Sequence, residues 1–213
     1  MKILLSILLL GLLAFTPAKR NNYNDLSLVF SSSINISGKS NIRPFSCKSS
    51  TIYKQDTLII RYMKKDNIYN LENASIEIDL NGFDCGNSFL DKDFGKLLQK
   101  DKYPTLKIYL NQITLNETME PEKILPGVAD FVIGIAGVNK CYITKFYSSI
   151  TNGICLVEGE LELSISDFNL TPPKKLLGLV KISEEILIEF RYLIYKSSSI
   201  SNYKIQSKLV NNL

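Results

Sequence analysis

Apolar residues spaced two apart, in one segment after another, are the feature that most narrows what this chain can become. From Ala74 to Phe83, Ile76, Ile78 and Leu80 fall on one side and Ser75, Glu77 and Asp79 on the other. Successive side chains of a strand point to opposite faces, so this pattern predicts a strand with one face buried and one wet. Leu106 to Leu110 repeats the pattern after Pro104, and Val128 to Ala136 puts Phe131, Ile133 and Ile135 on a common face. Ser31 to Ile42 alternates weakly around Ile34 and Ile36, with Gly38 as a break or bulge, and Leu58 to Met63 is apolar and rich in strand formers. Lys140 to Ser149 and Gly153 to Ile165 are two further strands, joined by a loop that contains the turn-forming pair Asn152-Gly153, and Leu187 to Tyr195 is the last. A single segment keeps helical spacing: Leu90 to Lys100 carries apolar residues at 90, 94, 97 and 98 and is closed by Tyr103-Pro104.

These patterns add up to an all-β chain of about eight strands with one short helix, over about residues 90–100. An antiparallel sheet of that size does not stay open, because its unpaired edges invite aggregation; it closes into a barrel or packs as a sandwich. Eight strands closed into a barrel leave an interior that side chains fill or that holds one ligand.

The chain has no histidine. That removes histidine triads, histidine acid–base chemistry and every metal site that uses imidazole, and with them most hydrolase mechanisms. Its net charge of +4 comes from 25 basic and 21 acidic residues with no basic stripe, which argues against nucleic acid as a partner. Met1-Lys2, the apolar run Ile3 to Phe15 and the small residues around Thr16-Pro17-Ala18 read as a signal peptide over residues 1–18. The apolar run is shorter than the roughly 20 residues that span a bilayer, and no later run is long enough. The folded domain is then expected over 19–195, outside the cytoplasm, with a polar Ser/Asn/Lys-rich tail over 196–213.

Four cysteines in an exported chain suggest two disulfides, with three pairings open. Cys47 and Cys85 follow two different strands of the first half, where a bond would tie the early strands to the loop before the helix. Cys141 and Cys155 flank a hairpin. With its centre near residue 150, Cys141 lies opposite residue 159 and Cys155 opposite residue 145. That offset is about 13 Å along a strand, so only a shifted turn or bulge would let them bond. No CxxC is present, which leaves metal and redox readings weak.

Four stretches together resemble the YceI-like family, in the variant found in exported Bacteroidetes proteins. They are Ser37-Gly38-Lys39-Ser40-Asn41 with Phe45-Ser46-Cys47; Asp91-Lys92-Asp93-Phe94 through Lys102-Tyr103-Pro104; Gly134 to Lys140; and Ser166-Asp167-Phe168 with Gly178 and the apolar last strand. The order and spacing of these motifs, over about residues 34–194, carry the resemblance. It implies an extended antiparallel β-barrel of lipocalin-like shape that binds a long polyisoprenoid, such as the tail of an isoprenoid quinone, along its apolar interior, without catalysis.

On that reading the stripes Ile76/Ile78/Leu80, Leu106/Ile108/Leu110 and Phe131/Ile133/Ile135 face the barrel axis and, with Phe168, line a lipid tunnel. Taken without the resemblance, the same stripes are what any packed core needs. Tyr103, Tyr109 and Tyr142 could meet a polar headgroup at a tunnel mouth, or be ordinary half-buried strand tyrosines. Asp79, Asp84, Asp91 and Asp93 fit no calcium loop, and Asp91 and Asp93 are placed to cap the helix. Leu170 to Lys175 reads as a rigid proline-containing connection. The first functional reading is an exported barrel that binds, sequesters or carries a long isoprenoid-type lipid. The second is a ligand-free barrel acting as a structural or interaction domain of the cell envelope.

Overall fold

The structure is a computed structural model and describes residues 23–52, 58–117, 120–172 and 182–196. The expected signal peptide, the second half of the proline-containing connection and nearly all of the polar tail lie outside these residues. Eleven strands and one helix are described: β1 Asn24–Ser40, β2 Phe45–Ile52, β3 Leu58–Lys65, β4 Ile68–Glu72, β5 Ser75–Asp79, β6 Phe83–Asp84, α1 Ser88–Leu97, β7 Thr105–Leu115, β8 Leu125–Ile135, β9 Val138–Thr151, β10 Ile154–Ser164 and β11 Ile182–Lys196.

Antiparallel pairing closes a ring through eight of these strands, in the order β1-β3-β4-β7-β8-β9-β10-β11 and back to β1. The fold is therefore an all-β, lipocalin-like barrel. Two of the three additional strands, β2 and β5, arise because two staves are each built in two pieces. β1, at 17 residues, outruns any single partner. Its first residues pair with β3 and its later ones with β2, both on the edge away from β11. β7 is flanked in the same way by β5 at its start and β4 at its end. β6 pairs with β2 and joins β5 through a 3-10 turn, which completes the wall.

Strand geometry keeps the apolar side inward even where the alternation breaks. On β7 the register shifts between Leu110 and Gln112, with Asn111 as the extra residue. Leu106, Ile108 and Leu110 point in before the shift; Ile113 and Leu115 continue the inner face after it. A bulge of this kind restores the face that a strict period of two would lose. Around the girth, Gly127, Phe146, Gly159, Phe190 and Ile34 are successive register partners on β8, β9, β10, β11 and β1. A β-carbon at Gly159 would sit 2.5 Å from the Phe190 ring and 2.9 Å from the Lys145 carbonyl. The glycines let the phenyl rings lie across the backbone, the alternation of small and large residues that fits a barrel interior.

Three expectations are corrected. Ala74 to Phe83 is not one strand: after Asp79 the chain enters the 3-10 turn Leu80–Gly82, held by the Asp79 carboxylate accepting from the Asn81 N–H at 2.8 Å. The β9–β10 connection is not a longer loop but a two-residue turn, with Asn152 and Gly153 both at positive φ (52° and 77°). Paired positive φ values are what a two-residue hairpin needs, and Asn-Gly adopts them at least cost. The helix cap is Asn87, whose side chain accepts from the N–H groups of Phe89 and Leu90. Asp91 instead accepts from the Cys85 N–H at 2.8 Å and holds the incoming loop to the helix.

Candidate functional site

The barrel encloses an apolar cavity of about 190 Å³ that runs between all the long strands. Of its 22 lining residues only Thr144 and Tyr192 carry a polar side-chain atom. The Thr144 hydroxyl donates to the Glu160 carbonyl at 2.6 Å, so its proton is already engaged with the wall. A second, lower cavity of about 90 Å³ is closed off by α1 and lined by Leu90, Phe94 and Leu97 of the helix and by Phe168 and Leu170. Asp93 is the one ionisable residue on that lining.

Ile76, Ile78, Leu106, Ile108, Leu110, Phe131, Ile133 and Ile135 all line the larger cavity. Phe168 lines the smaller one. Leu80 lines neither: it is 2% exposed and packs within the core, because the 3-10 turn takes it off the strand face. Sequence reasoning left out the β11 stripe Ile188, Phe190, Tyr192 and Ile194, together with Phe146, although period two was legible in β11. It also left out Leu58, Ile60 and Ile113. Ile113 follows the bulge, which hides its face from a simple alternation.

The three tyrosines do not gather at a common mouth. Tyr142 donates to the Asp167 carboxylate at 2.9 Å and stacks on Phe168. Its burial, and then that carboxylate, push its pKa well above the ordinary phenol range. Tyr103 packs under Gly137, where a β-carbon would lie 2.7 Å from the phenol oxygen. Tyr109 is on the outer face and exposed.

Cys47 and Cys85 are joined by a disulfide, both nearly fully buried. Cys141 and Cys155 are free thiols, Cys141 exposed and Cys155 half-buried. The turn at Asn152-Gly153 sets Cys155 opposite Ile150, nine positions from Cys141, so the hairpin cannot bond them. Burial raises the Cys155 thiol pKa. Among the described residues no group of three or more Cys, Asp or Glu side chains could hold a metal ion, and no helix is long and apolar enough to cross a membrane.

Among solved structures, a polyisoprenoid binding domain from Saccharophagus degradans, implicated in plant cell wall breakdown, is similar over 79% of this chain and 99% of its own. Its TM-score is 0.58 at 13% identity. The fold is YceI-like. BcnA of Burkholderia cenocepacia matches 78% of this chain and 96% of its own with TM-score 0.49 at 14% identity. A YceI protein of Campylobacter jejuni matches 57% and 69% with TM-score 0.40 at 15% identity. No protein-family model matches the sequence, and no curated protein matches it either.

Proposed function

We propose that this YceI-like barrel binds the apolar chain of an isoprenoid-type lipid in its interior, and that it sequesters or carries that lipid outside the cytoplasm. The hydrocarbon lining of the 190 Å³ cavity is the observation that carries the reading. An empty apolar cavity costs about 24 cal/mol per Å³, so a void of that size costs the fold about 4–5 kcal/mol. A prenyl chain laid along it restores the lost contacts, and each buried methylene contributes about 0.8 kcal/mol. Binding of this kind needs no reactive group, in keeping with a chain that lacks histidine. For scale, a cavity of about 150 Å³ takes one benzene ring. The interior as it stands therefore holds a short stretch of chain, and a longer chain has to reach the lower cavity or extend from a mouth. The buried Cys47–Cys85 disulfide supports an oxidising compartment.

Native mass spectrometry of the protein purified from its exported fraction, followed by solvent extraction, tests this. A stoichiometric prenyl chain is expected to co-purify, or to load when an isoprenoid quinone is added. Protein that is apo and stays apo would overturn the proposal and leave a ligand-free envelope domain as the reading.

A further inference from the structure

The two cavities meet at four residues that line both: Ile36, Leu106, Ile135 and Ile188. Ile36 and Ile188 are direct partners on β1 and β11. Leu106 and Ile135 stand one step beyond the Lys107–Gly134 pair on β7 and β8. In the eight-strand ring β7 and β8 lie across the barrel from β1 and β11, so two apolar pairs face each other from opposite walls. Ile36, Leu106 and Ile135 are buried, while Ile188 is half-buried. Below this waist the space is bounded by α1. The helix cannot drift freely, because Cys47 on the lower lining is bonded to Cys85, and Cys85 is hydrogen-bonded to Asp91 of the helix. A floor fixed in this way makes the waist, rather than the helix, the adjustable boundary.

We infer that the waist formed by Ile36, Leu106, Ile135 and Ile188 sets the chain length the barrel accepts. The tail of a bound prenyl chain fills the upper cavity and stops against these side chains. A chain longer by one branched unit must part them to reach the lower cavity. The inference rests on the lipid-binding reading above and adds the residues that decide length.

Ile188 is the position to vary, since it is the least buried of the four and its replacement disturbs packing least. Calorimetric titration with geraniol, farnesol and geranylgeraniol should show affinity rising with each prenyl unit and then levelling off. In Ile188→Ala the plateau is expected one unit later, with affinity for the first alcohol beyond the wild-type limit raised by about tenfold. In Ile188→Phe it is expected one unit earlier. If the alanine variant fails to fold, the phenylalanine variant alone decides the question. A plateau at the same alcohol in wild type and in the folded variants overturns the inference while leaving lipid binding intact. Failure of all three alcohols to bind wild type overturns the lipid reading itself.

Discussion

Tyr142 shows how a strand tyrosine becomes a fixed part of this fold. Its ring stacks on Phe168, with centroids 6.2 Å apart, and its hydroxyl donates to Asp167 in the 3-10 turn Ile165–Phe168 that follows β10. The bond thus ties β9 to the segment that seals the lower cavity. Replacing the phenol with Phe keeps the stack and removes the donor, which should cost about 1 kcal/mol of stability near neutral pH. The pH dependence has a definite sign. The folded phenol is held above its ordinary value by burial and by the carboxylate, whereas in the unfolded chain it ionises near about 10. Its contribution is therefore complete below about pH 10 and fades as pH rises through the folded value, because only the unfolded chain gains by releasing the proton. Urea midpoints of wild type and Tyr142→Phe should be separated at neutral pH and converge above about pH 10. Every other ionisable group is common to both proteins and cancels in the difference. A gap that stays constant with pH would mean that Asp167 does not hold the phenol.

Among the elements, α1 depends most on what surrounds it. It is ten residues long, with Phe89 82% exposed on its outer side and Leu90, Phe94 and Leu97 turned to the lower cavity. A helix this short is marginal alone. The Cys47–Cys85 bond spans 38 residues and anchors its leading loop to β2. Closing a loop of that length stabilises the fold by about 4 kcal/mol on the chain-entropy account. The double substitution to Ser should lower the urea midpoint accordingly, and the same change at Cys141 and Cys155 should have little effect. Thiol alkylation read by mass spectrometry should label two cysteines in the folded protein, Cys141 first and Cys155 later, because burial keeps the latter thiol protonated. Labelling of all four would refute the pairing. What could be read of these elements in the sequence followed from where the apolar residues fall. β8 alternates cleanly through Phe131, Ile133 and Ile135 and was legible, and so was the core of β7. β2 was not, because its inward residues include Ser49, 2% exposed, and a buried serine leaves no apolar stripe to read. β4, with five residues, is too short to show a period. Leu80 continued the β5 alternation in sequence, but the Asp79 side chain turned the backbone before that alternation could matter.

Whether the interior is a place for a ligand or a tightly filled core is a property of the whole barrel, and the alternation is the same in both cases. The pairings show why volume escaped the sequence. It depends on which staves face each other and on glycines such as Gly127 and Gly159 beneath the rings of Phe146 and Phe190. Ala129 offers a measurement in which the two cases differ in sign. It sits inward on β8 between Ile113 and Thr144, is buried, and lines the larger cavity. Ala129→Leu adds three carbons to that space. In a tightly filled barrel such overpacking costs about 1–3 kcal/mol. In a hollow one the new methyl and methylene groups occupy void and gain about 0.8 kcal/mol each, less the side-chain entropy lost on ordering leucine, for a net gain of about 1–2 kcal/mol. The cavity of about 190 Å³ puts this protein in the second case, so apo Ala129→Leu is expected to unfold at higher urea than apo wild type. The same leucine occupies the space a prenyl chain would use, so farnesol should raise the melting temperature of the variant less than that of wild type. A gain in apo stability accompanied by weaker binding is the signature of a cavity kept open at the expense of stability. A loss of stability in the apo variant would show that the interior is already full.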